Sequence, residues 1–197
     1  PEKKSLSVIQ HSLPQLSIST EDSKESVTLK SASLTLIIDK ASGNVQFIQP
    51  SGENILKETG FSELKPVEYK GDKGFAMKQC FQLTPEEGIY GLGQHQDGYF
   101  NYRGKEVVLV QSNTEAVNPF LISTKNWGIL WDNYSKTIFN DNNQNASLYS
   151  DMGNNLDYYF VNGENMDQVI SGYRQLTGKA PMYGKYAYGY WQSKEHY

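Results

Sequence analysis

The chain has 197 residues, long enough for one good-sized domain, or for one domain and the start of another. Its 18 basic and 22 acidic residues give a formal net charge of −4, without the basic footprint of a nucleic-acid binder. No run approaches the roughly 20 apolar residues of a membrane span, and the single cysteine, Cys80, excludes an intrachain disulfide framework and a multi-cysteine zinc site.

In chain order the pattern is one of short alternating runs divided by turn residues. From Val27 onward, Leu34 to Asp39 reads as a strand, Ala41-Ser42-Gly43 as its turn and Asn44 to Ile48 as the returning strand. Ser51-Gly52 turns the chain before Ile55-Leu56. Gly71 to Gly74 turns it again before a strand around Gln79 to Leu83, where Cys80 reads as a small core residue. Further strands are predicted over Glu106–Val110, Pro119–Thr124, Gly128–Asp132, Lys136–Phe139 and Leu156–Val161, with Asp141 to Asn145 as a polar surface loop. One convincing helix follows. Asn165 is its N-cap with Gln168 three residues on, Met166, Val169, Ile170, Tyr173 and Leu176 form its apolar stripe, and Gly178 and Pro181 end it. Beyond it, Tyr186, Tyr188 and Tyr190 alternate with Ala187, Gly189 and Trp191, a period-two pattern that predicts an aromatic strand. Many strands and one late helix predict a mostly β, antiparallel sandwich over residues 1–162. A second unit then opens at residue 163 and is expected to continue past Tyr197.

Candidate chemistry is sparse. Gly91-Leu92-Gly93 lacks the third glycine and the long helix of a dinucleotide fingerprint, and is better suited to a bulge or sharp bend at a tight contact. His11, His95 and His196 are not at metal-ligand spacing, so no metal or other cofactor is expected, and His95 reads as a satisfied loop histidine or as one pointing into a cleft. No nucleophile–base–acid set can be assembled, and no pair of carboxylates can be placed face to face from sequence. The 14 tyrosines and 3 tryptophans suit either a sandwich core or a carbohydrate surface. The chain opens on Pro1 without a charged-then-apolar signal segment, and residues are expected to precede it. Composition leaves the compartment open; for a bacterial source the periplasm or the exterior is favoured.

The order of motifs adds a resemblance. Val27 to Phe47, with its Asp39-Lys40-Ala41-Ser42-Gly43 hairpin, resembles the opening strands of glycoside hydrolase family 31. Glu87-Gly-Ile-Tyr-Gly-Leu-Gly-Gln94 is similar to that family's Tyr-Gly-Leu-Gly-Glu segment, departing at Gln94 in the manner of its α-xylosidase-like branch. Val169 to Gly178, Pro181 and Tyr188-Gly-Tyr-Trp-Gln-Ser193 resemble the linker helix and first barrel strand. Together these matches run in order over nearly the whole chain. They imply a galactose-mutarotase-like β-sandwich, a linker helix and the first strand of a (β/α)₈ barrel that the chain does not complete. The implied activity of the whole protein is that of a retaining α-glycosidase, an α-xylosidase or α-glucosidase, acting on oligosaccharides or polysaccharide-derived sugars. Its catalytic aspartates would lie on barrel strands beyond residue 197, so none is assigned here. The implied partners are a carbohydrate substrate and the protein's own C-terminal barrel. Family members send a sandwich loop over the sugar site, and the matching loop is Gln111 to Glu115, with Asn113 or Thr114 closest to sugar and Tyr197 as an aromatic lining the pocket. Asn113 reads equally as a turn residue. The alternatives are a non-catalytic carbohydrate-binding sandwich and a mutarotase-like epimerase, the latter needing a histidine and a carboxylate converging on the sandwich face.

Overall fold

The strands arise where apolar residues alternate between turns, and in the computed structural model, which describes residues 4–9 and 15–192, they pair into two antiparallel sheets. In chain order the strands are β1 (Ser19–Asp22), β2 (Ser26–Lys30), β3 (Thr35–Asp39), β4 (Val45–Ile48), β5 (Asn54–Tyr69), β6 (Asp72–Gln82), β7 (Ile89–Gln94), β8 (Glu106–Leu109), β9 (Ala116–Ser123), β10 (Trp127–Trp131), β11 (Thr137–Asp141), β12 (Asn145–Gly153) and β13 (Tyr158–Asn162). The larger sheet has the order β1-β2-β3-β4-β5-β6-β12-β11-β8, and the smaller one β13-β10-β9-β7. The first six strands form an antiparallel meander: the β3–β4 hairpin is the predicted one, β1 and β2 are additional strands before it, and the predicted Gly71–Gly74 turn is shorter because Asp72 already starts β6. The turn after β3 is set by Asp39, whose Oδ1 accepts from the Ser42 amide at 2.7 Å and the Ser42 hydroxyl at 2.7 Å, while Gly43 takes a left-handed φ of 77°.

Core side chains from both sheets meet between the layers. Trp127, Ile129 and Trp131 of β10 face Met77, Phe81, Phe139 and Leu148 of the larger sheet. Phe47 stacks on Phe160 at 4.0 Å, and Tyr158 sets its ring edge against Phe81 at 5.6 Å. Trp127 and Trp131 are therefore core, whereas among the described tyrosines only Tyr102 is fully buried. The alternate residues of the smaller sheet face outward, where Phe120, Ile122 and Leu130 meet Val8 and Val169. The helix that covers them, α1 (Met166–Thr177), begins where Asn165 Oδ1 accepts from the Gln168 amide at 2.9 Å, and Gly178 follows it with φ 88°. This is the helix the sequence predicted. Tyr173 stacks on Phe120 at 4.2 Å and fixes it to the sheet.

Some expectations change, among them Cys80, which is only half-buried rather than core. The Asp141–Asn145 loop is narrower than predicted, because Asp141 ends β11 and Asn145 starts β12; β12 then inserts between β6 and β11. Among the described residues the aromatic run after α1 is not paired as a strand. Residues Lys185–Tyr188 form one 3₁₀ turn, in which the Ala187 amide bonds Gly184 O at 2.9 Å. Strand backbone needs a neighbouring chain for its hydrogen bonds, and among the described residues none lies beside this run. Its aromatic side chains stand in solvent, Tyr186 at 80 % exposure and Tyr190 at 90 %. No helix among the described residues is long and apolar enough to cross a membrane.

Candidate functional site

The loop predicted to meet sugar joins the two sheets, leaving β8 at the edge of the larger one and entering β9 of the smaller. Ser112 and Glu115 pair across it as an isolated bridge, with Asn113 and Thr114 at the tip. Gln111 ties its base: Nε2 donates to Glu115 O at 2.6 Å, and Oε1 accepts from the Val117 amide at 3.1 Å. Asn113 and Thr114 are exposed, and among the described residues neither side chain has a hydrogen-bond partner. Neither takes a left-handed φ, so the turn does not demand an asparagine at 113. A cleft of about 350 Å³ opens beside this loop, walled by Val110, Gln111, Val117, Pro119, Tyr134 and Lys136. Tyr197, the third predicted contact, lies outside the described residues.

The Gly91-Leu92-Gly93 segment is a bulge against β9, as its glycines suggested. The register slips between Gly91, opposite Leu121, and Gly93, opposite Val117, and all three residues have positive φ. A Cβ on Gly93 would come within 2.1 Å of Ala116 O, so only glycine allows this approach. Beyond the bulge Gln94 pairs with Ala116, and the next pair in the same register is His95 with Glu115. The two side chains meet, His95 Nδ1 against Glu115 Oε2, while Nε2 lies 2.9 Å from Leu92 O. The His95 side chain is only 3 % exposed. It is thus a satisfied histidine and not one aimed into a cleft. Tyr102 packs edge-on to it at 6.3 Å; burial raises this phenol's pKa, with the Asp97 and Glu115 carboxylates adding to the effect. Sequence reasoning named Glu115 only as the end of the loop, and the contact to His95 spans twenty positions. The signal available was the glycine bulge, which fixes the register that brings them opposite.

The buried carboxylates are fully engaged in holding the sandwich. Glu87 Oε1 accepts from Trp127 Nε1 at 2.7 Å and from the Ser123 hydroxyl, and Oε2 accepts from the Thr84 amide at 2.9 Å. Glu58 accepts from the Tyr158 hydroxyl at 2.5 Å and the Val45 amide at 2.7 Å, and its pKa is raised because burial outweighs both bonds. Asp141 pairs with Arg103 and accepts from the Gly104 amide at 2.9 Å. None offers a free carboxylate for acid–base work. Among the described residues no three His, Cys, Asp or Glu side chains come together to hold a metal ion.

Residues 1–140 match the family model of the glycosyl hydrolase 31 N-terminal galactose mutarotase-like domain. The chain belongs to glycoside hydrolase family 31. An alpha-xylosidase of Saccharolobus solfataricus is 35% identical over 200 residues, which cover 96% of this chain and 27% of that protein. Alpha-glucosidase 2 of Bacillus thermoamyloliquefaciens is 26% identical over 200 residues, covering 91% of this chain and 24% of that protein. Among solved structures, the family 31 α-xylosidase of Xanthomonas citri superposes with a TM-score of 0.90 at 21% identity, over 98% of this chain and 38% of that one. The chain therefore spans about a quarter of the length of these curated relatives. The family 31 sandwich is the mutarotase-like fold that the motifs implied.

Proposed function

We propose that this chain is the N-terminal part of a retaining α-glycosidase, an α-xylosidase or α-glucosidase, acting on oligosaccharides or polysaccharide-derived sugars. Residues 1–162 form the sandwich that shapes the substrate entrance. Residues 163–197 form the linking helix and the approach to the protein's own catalytic barrel, where a nucleophile and an acid–base carboxyl flank the scissile bond. In this reading the loop tip meets the sugar, with Asn113 and Thr114 bonding its hydroxyls and Tyr197 packing on the ring. The observation that carries it is the pair of exposed polar side chains at 113 and 114 on a loop whose base is tied down, which suits a recognition role more than a structural one. An alpha-xylosidase at 35% identity favours xylose over glucose as the leading substrate sugar. The test is turnover of nitrophenyl α-xyloside and α-glucoside by the complete protein and by this chain alone. The complete protein should hydrolyse at least one, and the chain neither. Turnover by the chain alone, or sugar binding without turnover by the complete protein, would contradict the reading; the latter would leave a carbohydrate-binding module.

A further inference from the structure

The loop that carries Asn113 and Thr114 contains a carboxylate, Glu115, that a sugar site could be expected to use. The structure gives it other work. Its Oε2 is held by His95 Nδ1, and the His95 side chain is almost wholly enclosed while that of Glu115 is 23 % exposed. On the other side of the ring, Nε2 faces Leu92 O on the bulge of β7. A carbonyl oxygen only accepts, so Nε2 carries a proton. Nδ1 and the carboxylate each offer a lone pair, so their contact needs one further proton between them. The groups that face the ring are therefore Glu115 from the loop, the Leu92 carbonyl from β7 and the edge of Tyr102, with Asp97 close to the Tyr102 phenol.

We propose that His95 and Glu115 are positioning residues that pin the sugar-contacting loop to the β7 bulge through a shared proton, leaving sugar recognition to the uncharged tip at Asn113 and Thr114. This rests on the proposed function above. The two ends of the loop are tied in different ways. Gln111 holds the base through neutral hydrogen bonds. The His95–Glu115 contact instead needs the proton shared between Nδ1 and Oε2. The two holds together leave residues 113 and 114 at a fixed height above the cleft beside Val110 and Pro119. Preorganisation of this kind lowers the ordering cost of binding and is read in KM more than in turnover.

The substitutions separate the shared proton from the shape of the site. Glu115→Gln can donate its amide hydrogen to a neutral Nδ1 while Nε2 still bonds Leu92 O, so the pin is kept without the extra proton. Glu115→Ala removes it, and His95→Gln removes it from the other side. In the 197-residue chain, hydrogen exchange at the Glu115 and Val117 amides reads the pin directly. Protection should fall by about ten-fold in Glu115→Ala and His95→Gln, while Glu115→Gln stays protected. In the complete enzyme, Glu115→Ala should raise KM by about ten-fold with kcat within about two-fold, and Glu115→Gln should restore it. Unchanged protection in both Glu115→Ala and His95→Gln would overturn the pin. Lost protection with an unchanged KM, in a complete enzyme that turns over glycoside, would overturn its positioning role. A complete protein without glycosidase activity would overturn the function on which the sugar role rests, while the exchange data would still decide the pin.

Discussion

Glu87 offers a direct test of how the sandwich is held, because it is a 3 % exposed carboxylate whose partners are themselves buried. Glu87→Ala leaves Trp127 Nε1–H and the Ser123 hydroxyl, on residues 1 % and 0 % exposed, without their acceptor, together with the Thr84 amide. A buried donor left unpaired costs about 1–3 kcal/mol. Removing the buried charge returns part of this, because a desolvated carboxylate is itself costly. The expected net loss is about 2–4 kcal/mol, a large share of a typical total of about 5–15 kcal/mol. Glu87→Gln should cost less, about 1–2 kcal/mol, since the amide oxygen still accepts from Trp127 and Ser123 and only the Thr84 amide meets a donor. Urea unfolding followed by tryptophan fluorescence would read these as shifts in midpoint at constant slope. At about 2–4 °C per kcal/mol for a chain of this size, the alanine variant should melt about 4–16 °C lower. A loss below about 0.5 kcal/mol for alanine would refute the reasoning. So would a glutamine variant as unstable as alanine, since the donors would then not be what the carboxylate serves.

The Tyr158 hydroxyl is buried and donates to Glu58, and burial followed by the Glu58 charge holds its pKa well above the usual 10.0. A raised phenol pKa contributes stability that is complete below the unfolded value and lost as pH rises through the folded one. Wild-type stability should therefore fall above about pH 10, and Tyr158→Phe should flatten that limb of a pH–melting curve. Gly93→Ala should destabilise severely, by about 3 kcal/mol or more, because its Cβ would lie 2.1 Å from Ala116 O at φ 102°. Gly43→Ala, at φ 77° in open space, should cost only about 1 kcal/mol in the same urea titration. Asn165→Ala should cost about 1 kcal/mol by removing the acceptor for the Gln168 amide, with the loss localised to α1 in hydrogen exchange.

What the sequence made legible was what local chemistry decides. The Asp39–Gly43 turn, the α1 cap at Asn165 and the Gly91/Gly93 bulge follow from side-chain hydrogen bonds and from positions only glycine can occupy, and each stands where its residues point. The strand β12 was missed because its core face is Ala146, Leu148 and Ser150, and a serine does not register as an apolar position. Ser150 is buried because its hydroxyl accepts from Trp131 Nε1 at 2.8 Å and bonds Thr137 Oγ1 at 2.7 Å, partners that sequence spacing does not reveal. The aromatic run at Tyr186 to Trp191 is a different case. Its period-two pattern is real, but a strand exists only by pairing, and among the described residues it has no neighbour. In the loop after β8, the His95–Glu115 contact depends on a register that only the folded sheet displays.

The loop tip carries the central claim, and the complete enzyme with Asn113→Ala tests it. Steady-state kinetics on an α-xyloside and an α-glucoside, run beside a melting curve, give the decisive comparison. The account predicts a loss of about 1–2 kcal/mol in kcat/KM for the preferred sugar, the scale of leaving a polar partner unpaired, with the melting temperature unchanged. A lowered melting temperature with intact kinetics would contradict it, making Asn113 a turn former and placing the sugar site elsewhere.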